Sequence, residues 1–413
     1  MIAQNQKLLE LVKKGLAPIF LRDIFSALVR FVVTIIAARN LTSSDFSSYI
    51  LICLIAAYAD AMFRFKTDQS VGFLIGQKKL DEELVFKLQN TFILISTLVM
   101  IVILFFLKGV IFKYIGNENL NKNLILLYLI TYCILTHIYS VHVYLHLYRQ
   151  DFDKYKKMTI ISSGIFLVIV LSLSLLKINI YLLLLAQNFG LLCANLYTLR
   201  DSNFLYSFRL STRAIELRQM LSHSGRLYLL DLIGMLQTNY LLTISGAILN
   251  PSQVGHIGII RQFLQLVEKV PGFFNQILFG TLMKRSSENR SLSIKVAFLN
   301  FVIAILILVL ISLFLTPINM IIFDSKFPNL FDYFKYIAPG TALLCAAAPL
   351  ILFLTSKDHI MVSVFNYIIA LVFSVIFGLV YIESFTVETL GSMFFIMAFT
   401  LILLTLKKVI DIQ

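Results

Sequence analysis

From Val296 to Leu315 the chain reads VAFLNFVIAILILVLISLFL, twenty residues without a charge. A helix rises about 1.5 Å per residue, so this run is about 30 Å long, the thickness of a bilayer's hydrocarbon core. Buried helices of soluble proteins seldom hold so long an apolar run. Thr91 to Leu107, Met158 to Leu176, His359 to Ile382 and Leu390 to Leu406 read the same way. Leu124 to Leu135 and Leu182 to Leu185 do not alternate with the period of two that a membrane β-barrel needs. The chain therefore reads as an all-α polytopic membrane protein.

The rest of the sequence agrees. Of 413 residues, 59% are hydrophobic and 14% charged, and the mean hydropathy is +0.87. Soluble domains are about 45–50% apolar and about 25% charged. This excludes a soluble enzyme, a disordered chain, a fibrous repeat and a small disulfide scaffold. Twelve spans are expected, near 18–38, 46–64, 88–107, 124–147, 158–176, 179–199, 220–247, 252–279, 296–315, 333–354, 359–381 and 388–406. The seventh and eighth carry several polar residues. Loops are expected near 64–87, 108–123, 200–219 and 316–332, each too short for a separate domain.

With both termini in the cytoplasm, 23 of the 35 Lys and Arg fall in cytoplasmic segments, six on the opposite side and six within spans. That bias fixes the orientation by the positive-inside rule. It also accounts for the net charge of +13 without a nucleic-acid partner. The first span holds Arg22, Asp23 and Arg30, so it does not read as a cleaved signal peptide. Cys53, Cys133, Cys193 and Cys345 lie in separate apolar spans without metal spacing and read as packing residues. No glycine-rich nucleotide loop or zinc-spaced Cys/His set is present, so neither a cofactor nor a metal is expected.

A repeat runs through the chain at an offset of 208. Leu41–Tyr49 (LTSSDFSSY) and Leu249–Ile257 (LNPSQVGHI) each read as a helix stop, a short polar turn and a new helix. At the same offset Asp23 matches Asp231, and Asp60 matches Glu268. This predicts two six-helix bundles, 1–207 and 208–413, in parallel orientation with a site between them.

A charge at the centre of a membrane helix costs about 2.5–3.5 kcal/mol and normally faces protein or a watery cavity. Asp23 and Arg30, seven apart, share a helix face, and Arg22 points about 100° away. Asp60 can pair with Arg64 four residues on. In the eighth span Arg261, Gln265, Glu268, Gly272 and Asn275 form one polar stripe. Read as a hydrophilic pathway, the stripe lines a cavity; read as a seam, it bonds one helix to another. Tyr132, Tyr139, His142 and His146 form a second stripe on the fourth span, flanked by His137 and Tyr144. These rings suit either an interfacial belt or stacking on sugar faces; a metal would need ligands from other helices. Gln187, Asn188 and Asn195 could bond sugars or neighbouring helices equally well. Pro271-Gly272, Pro339-Gly340 and Pro349 bend or open their helices.

The stretch FVVTIIAARNLTSSDFSSY, Phe31–Tyr49, resembles the start of Wzx-type polysaccharide flippases. There an apolar run leads through Ala-Arg to a Leu-Gly-Pro-like turn and Phe-Gly-x-Tyr; here the turn lacks Gly and Pro, and Ser47 stands in the second Gly position. Pro251 and Val254-Gly255 keep that pattern in the second half. The resemblance implies the multidrug/oligosaccharidyl-lipid/polysaccharide exporter fold, about twelve transmembrane helices in two pseudo-symmetric bundles around a central cavity. It implies a repeat-unit oligosaccharide on undecaprenyl diphosphate as substrate, surface polysaccharide such as O-antigen as its destination, and the bacterial inner membrane as its place. Membrane lipids, the polysaccharide polymerase and the chain-length machinery are the implied partners. Related lipid II flippases carry an Arg-Asp pair on the first helix and an Arg on the eighth, which Arg22-Asp23 and Arg261 match; their second-helix Arg has no clear counterpart.

Arginine suits a diphosphate because its planar fork binds oxygens bidentately and stays charged. Arg30, Arg261 and then Arg22 are the expected diphosphate ligands. Asp23, Gln265, Asn275, Tyr139 and His142 are expected to line or orient the cavity. Without a nucleotide motif, an ion gradient or the membrane potential is the expected drive, with Asp231, Glu268 and Asp60 as coupling candidates. Asp231 ranks first because no cation shares its own helix face. A cation-coupled drug antiporter of the same fold, and a membrane glycan polymerase or ligase, are the competing classes. An antiporter cavity should be dominated by acids and aromatics, and an enzyme needs a longer catalytic loop.

Overall fold

A computed structural model describes residues 2–76, 81–149, 151–176, 178–201, 210–211, 213–282, 289–357 and 359–411, with side chains from Leu21 onward except at 71–73, 76, 148, 199–201, 223, 226–227, 273, 276–282 and 289. The first half runs α1 (Ile2–Asn40), α2 (Ser43–Arg64), α3 (Thr67–Gly76), α4 (Glu82–Ile115), α5 (Lys122–Tyr148), α6 (Phe152–Ser174) and α7 (Ile180–Asp201). The second runs α8 (Ala214–Thr238), α9 (Tyr240–Ile248), α10 (Pro251–Leu282), α11 (Asn289–Ile322), α12 (Leu330–Ser356), α13 (Ile360–Val380) and α14 (Val387–Asp411), with a 3-10 turn at Ile382–Ser384. Among the described residues there is no strand. Each expected span falls on a helix, the seventh on α8 and α9 together.

Among the described residues nine helices are long and apolar enough to cross a membrane: α2, α4, α5, α6, α7, α11, α12, α13 and α14. The expected spans outside that set lie on α1, α8 with α9, and α10. These are the helices that carry Arg22, Asp23, Arg30, Asp231, Arg261 and Glu268. Charge lowers their apolarity, and charge is what makes them candidates for function.

Packing divides the chain into Met1–Asp231 and Leu232–Gln413, the division falling inside α8. In the first unit α6 packs on α1 and α7, and α5 packs on α2, α3 and α7. In the second, α12 is central, against α10, α11 and α14. Its crossing with α14 depends on Gly391, where a Cβ would come within 2.7 Å of the Tyr336 carbonyl oxygen. Small residues at such crossings let membrane helices approach closely.

The 208 offset recurs in the helix boundaries. Helix α1 ends at Asn40 and α9 at Ile248; α2 starts at Ser43 and α10 at Pro251; α5 starts at Lys122 and α12 at Leu330; α6 starts at Phe152 and α13 at Ile360. The caps repeat too. Asp45 N–H donates to Thr42 Oγ1 at 3.1 Å, and Gln253 N–H donates to Asn250 Oδ1 at 3.0 Å. Both are N-cap bonds that satisfy a donor left free at the helix start.

The segment 64–87 departs from its expected form. It is no plain loop: the helix breaks at Phe65 and Lys66, both left-handed (φ 50° and 55°), and resumes as α3. Thr67, Asp68 and Ser70 on α3 are fully buried. The turn is polar in sequence, but these groups are buried: Asp68 and Ser70 bond within the turn, and Thr67 meets partners far along the chain. Of the expected loop 200–219, residues 202–209 and 212 lie outside the described residues.

Candidate functional site

In α1, Arg22 and Asp23 pair through Nε and Oδ1 at 2.8 Å, and the Arg22 guanidinium sits 4.3 Å above the Tyr155 ring of α6. Asp23 thus takes its neighbour Arg22 rather than Arg30, two turns away. Arg30 is exposed and has no ion-pair partner among the described residues. It lies within electrostatic reach of Tyr49 and Cys53 on α2 and Tyr132 and Tyr139 on α5. A guanidinium in the middle of an expected span with no carboxylate beside it is poised to take an anion.

Further along the first unit lies a polar knot. Arg64 bridges Asp60 and Asp68, each at 3.1 Å, across the break between α2 and α3. Thr67 Oγ1 donates to the Arg64 carbonyl at 3.0 Å and lies 3.3 Å from His137 Nε2 of α5. Gln89 of α4 donates to the Thr67 carbonyl at 2.6 Å, and Gln69 donates to Tyr144 at 2.6 Å. Asp60, Arg64, Cys133 and His137 line a cavity with room for about one water. Sequence reading found the Asp60–Arg64 pair but not Asp68, Thr67 or Gln89. Their only sequence signal is the Asp60-Arg64-Asp68 spacing of four and four.

Asp231 has the cation its own helix lacks. Lys66, presented by the left-handed turn, pairs with it at 2.8 Å, and the adjoining Phe65 ring lies 4.4 Å from Tyr228. Its own helix face still carries no cation, but the turn between α2 and α3 supplies one, and with it the ground for ranking Asp231 first among coupling acids weakens. The Arg226 side chain lies outside the described residues.

In the second unit Arg261, only 2% exposed, forks onto Glu268 two turns along α10, with Nη1–Oε1 at 3.0 Å and Nη2–Oε2 at 3.2 Å. Asn275 accepts from Asn300 of α11 at 3.0 Å. Gln265 makes no hydrogen bond among the described residues, and the space beside Gly272 is open. The α10 stripe is therefore a seam at its Asn275 end and unpartnered at Gln265.

The aromatic stripe of α5 divides as well. Tyr139 bonds Thr159 of α6 at 2.8 Å, and Tyr132 lies 5.7 Å from Tyr128. His142 is 1% exposed, with its ring 6.0 Å from Phe86 of α4. Gln187, Asn188 and Asn195 of α7 bond Tyr128, Thr131 and the Leu135 carbonyl of α5 at 2.9, 2.6 and 2.9 Å. All three are interhelical ties. Among the described residues no group of three His, Cys, Asp or Glu is placed to hold a metal.

These features define a multi-pass helical membrane protein with charged residues held inside its spans, and the comparisons with known proteins give the class. The structure resembles the lipid II flippase MurJ in an inward closed conformation, with a TM-score of 0.76, 10% identity, and coverage of 95% of this chain and 87% of that one. It also resembles an inward-facing multidrug resistance MATE transporter of the MOP superfamily, with a TM-score of 0.71, 12% identity, and coverage of 94% and 93%. A mutant form of the Vibrio cholerae MATE transporter VcmN matches with a TM-score of 0.61, 12% identity, and coverage of 100% and 99%. The fold is therefore that of the MOP-superfamily transporters. No curated protein matches the sequence. Residues 36–327 match the polysaccharide biosynthesis protein family, and the chain belongs to it.

Proposed function

We propose that this protein is a flippase that carries undecaprenyl-diphosphate-linked oligosaccharide from the inner to the outer leaflet of the bacterial cytoplasmic membrane, for O-antigen or another surface polysaccharide. The observation that carries this reading is Arg30, an exposed guanidinium without a carboxylate in a membrane helix. Family membership supports the polysaccharide destination. A diphosphate supplies the missing anion, and the tyrosines near Arg30 offer ring faces and hydroxyls to the first sugars. The Arg22–Asp23 pair beside it is a secondary contact, engaged with its own acid and with Tyr155.

In the second unit a diphosphate reaching Arg261 must displace Glu268 from the fork. The freed carboxylate is then open to bind a proton or another cation in place of the guanidinium. Coupling to an ion gradient or to the membrane potential runs through this exchange, with Glu268 the first coupling acid and Asp231 and Asp60 behind it. No cofactor takes part. Both termini lie in the cytoplasm, and the polymerase and chain-length machinery receive the product.

The test is flipping of labelled undecaprenyl-diphosphate glycan in proteoliposomes, with and without an imposed pH gradient. Arg30→Ala should abolish flipping and Arg30→Lys restore part of it. Full activity of Arg30→Ala would overturn the diphosphate assignment. Drug efflux without glycan movement would make the protein an antiporter instead. If Glu268→Gln keeps the wild-type response to the gradient, the coupling proposal is wrong.

A further inference from the structure

The second unit contains a groove lined by none of the residues assigned to the flippase site. It has a volume of about 400 Å³ and lies between α11, α12 and the α14 residue Phe395. That volume is in the range of ligand pockets. Its floor is buried and apolar, with Leu308, Phe334 and Ala342; its rim, with Val309 and Phe331, is exposed. Along α11 the lining runs from Phe301 to Ser312, and along the antiparallel α12 from Leu343 to Phe331. At about 1.5 Å per residue each wall is roughly 17 Å long, about half of a 30 Å hydrocarbon core. The groove is one leaflet deep.

One end is polar. Lys335 lines the groove and pairs with Asp332 at 3.0 Å, with its ammonium 5.3 Å from the Tyr336 ring. Glu388 of α14 is within electrostatic reach of Lys335. Pro339, also in the lining, cannot donate to the Lys335 carbonyl, which leaves that oxygen available as an acceptor. This end thus has one ammonium in the lining, with the Asp332 carboxylate bonded to it, the Glu388 carboxylate within electrostatic reach and a backbone carbonyl beside it. Two carboxylates against one ammonium repel a diphosphate and match a headgroup that carries both a phosphate and a primary amine.

We propose that this groove holds one acyl chain of a zwitterionic, amine-headed phospholipid of the phosphatidylethanolamine type. Lys335 takes the lipid phosphate; Asp332, Glu388 and the Lys335 carbonyl take its ammonium. The site is a lipid-recognition site of the second unit, separate from substrate transport, and stands whether or not the flippase reading does.

The experiment is native mass spectrometry of the full-length protein with added phosphatidylethanolamine, phosphatidylcholine, phosphatidylglycerol or undecaprenyl diphosphate, alongside crosslinking by a phosphatidylethanolamine with a diazirine in its chain. The amine lipid should be retained about tenfold over the other two phospholipids, and crosslinks should map to α11 and α12. Val309→Trp, which fills the groove from its exposed rim, should remove both signals. Asp332→Asn with Glu388→Gln, both at exposed positions, should shift retention towards phosphatidylglycerol, which keeps the claim testable if the tryptophan variant misfolds. Equal retention of the three phospholipids, crosslinks elsewhere, or displacement by undecaprenyl diphosphate would each overturn it.

Discussion

The two halves use the same stretch of chain differently. Helix α2 starts at Ser43 and α10 at Pro251, with matching N-cap bonds. Twenty-one residues later, at Arg64, α2 stops and, after a two-residue break, α3 begins; α10 runs through the equivalent point to Leu282. That equivalent point is Pro271-Gly272, the pair that sequence rules mark as a breaker. The helix with Pro and Gly continues, and the helix without them breaks. The two halves differ there in charge. At the position of Gly272 the first half has Arg64, which holds Asp60 and Asp68 across the turn. At the position of Glu268 both halves carry an acid, but Glu268 reaches back to Arg261, whose counterpart is Cys53. The Asp60–Arg64 pair lies within α2, and only Arg64–Asp68 spans the break; Glu268 and Arg261 both lie within the continuous α10.

The largest effect should come from comparing the open arginine with the closed one. Arg30→Ala removes a group with no described partner, so flipping should fall at least 100-fold while thermal stability stays within about 0.5 kcal/mol. Arg261→Ala leaves Glu268 unpaired and should cost both activity and about 3 kcal/mol, the low end for a buried pair because Glu268 keeps 31% exposure. Thermal unfolding beside proteoliposome flipping decides this. A stability loss in Arg30→Ala as large as in Arg261→Ala would mean the two are not different in kind.

Next is Asp68, which is fully buried. Asp68→Ala removes one of the two carboxylates on Arg64 and should cost about 2–3 kcal/mol. Backbone amide exchange should rise over α3 and leave α10 unchanged. If protection over α3 is unaffected, Arg64 does not hold the break.

The break also shows where sequence reading reached its limit. Periodicity and apolar length placed each span, because a membrane helix must satisfy its own backbone bonds and bury or expose its residues to lipid. The stripe of α10 was readable because its partners, Arg261 and Glu268, lie on one helix. Residues 64–87 read as a polar cytoplasmic loop because Thr67 and Gln69 look solvated until His137, Tyr144 and Gln89 are brought to them. Asp231 looked unpaired for the same reason: Lys66 is 165 positions away in the sequence. Pairs within a helix are legible; pairs across a fold are not.

A smaller effect should isolate strain at the turn. Lys66 is left-handed, which costs a residue with a Cβ about 1 kcal/mol and glycine almost nothing. Lys66→Ala and Lys66→Gly both lose the Asp231 pair, so their difference reports the backbone alone. Lys66→Gly should be the more stable by about 1 kcal/mol in thermal unfolding. Lys269→Ala and Lys269→Gly, in the continuous helix α10, should show the opposite order. The same order at both positions would show that the turn carries no such strain.

The smallest effect should fall where the halves agree. Thr42 and Asn250 cap α2 and α10 through side-chain oxygens 3.1 and 3.0 Å from the N–H three residues on. Each helix start also has a return contact: Thr42 Oγ1 donates to Asp45 Oδ2 at 2.8 Å, and Asn250 N–H donates to Gln253 Oε1 at 3.4 Å. Replacing an N-cap by Ala costs about 1 kcal/mol, and both sites are exposed, so water replaces part of each lost bond. Thr42→Ala and Asn250→Ala should therefore each cost at most about 1 kcal/mol and agree within about 0.5 kcal/mol. Amide exchange at residues 45 and 253 should accelerate equally. If Thr42→Ala costs several times more than Asn250→Ala, the difference between the halves begins at the first turn of α2, and the Arg64 knot is its consequence. Equal losses would place the divergence where the charges diverge, at Arg64 and Gly272.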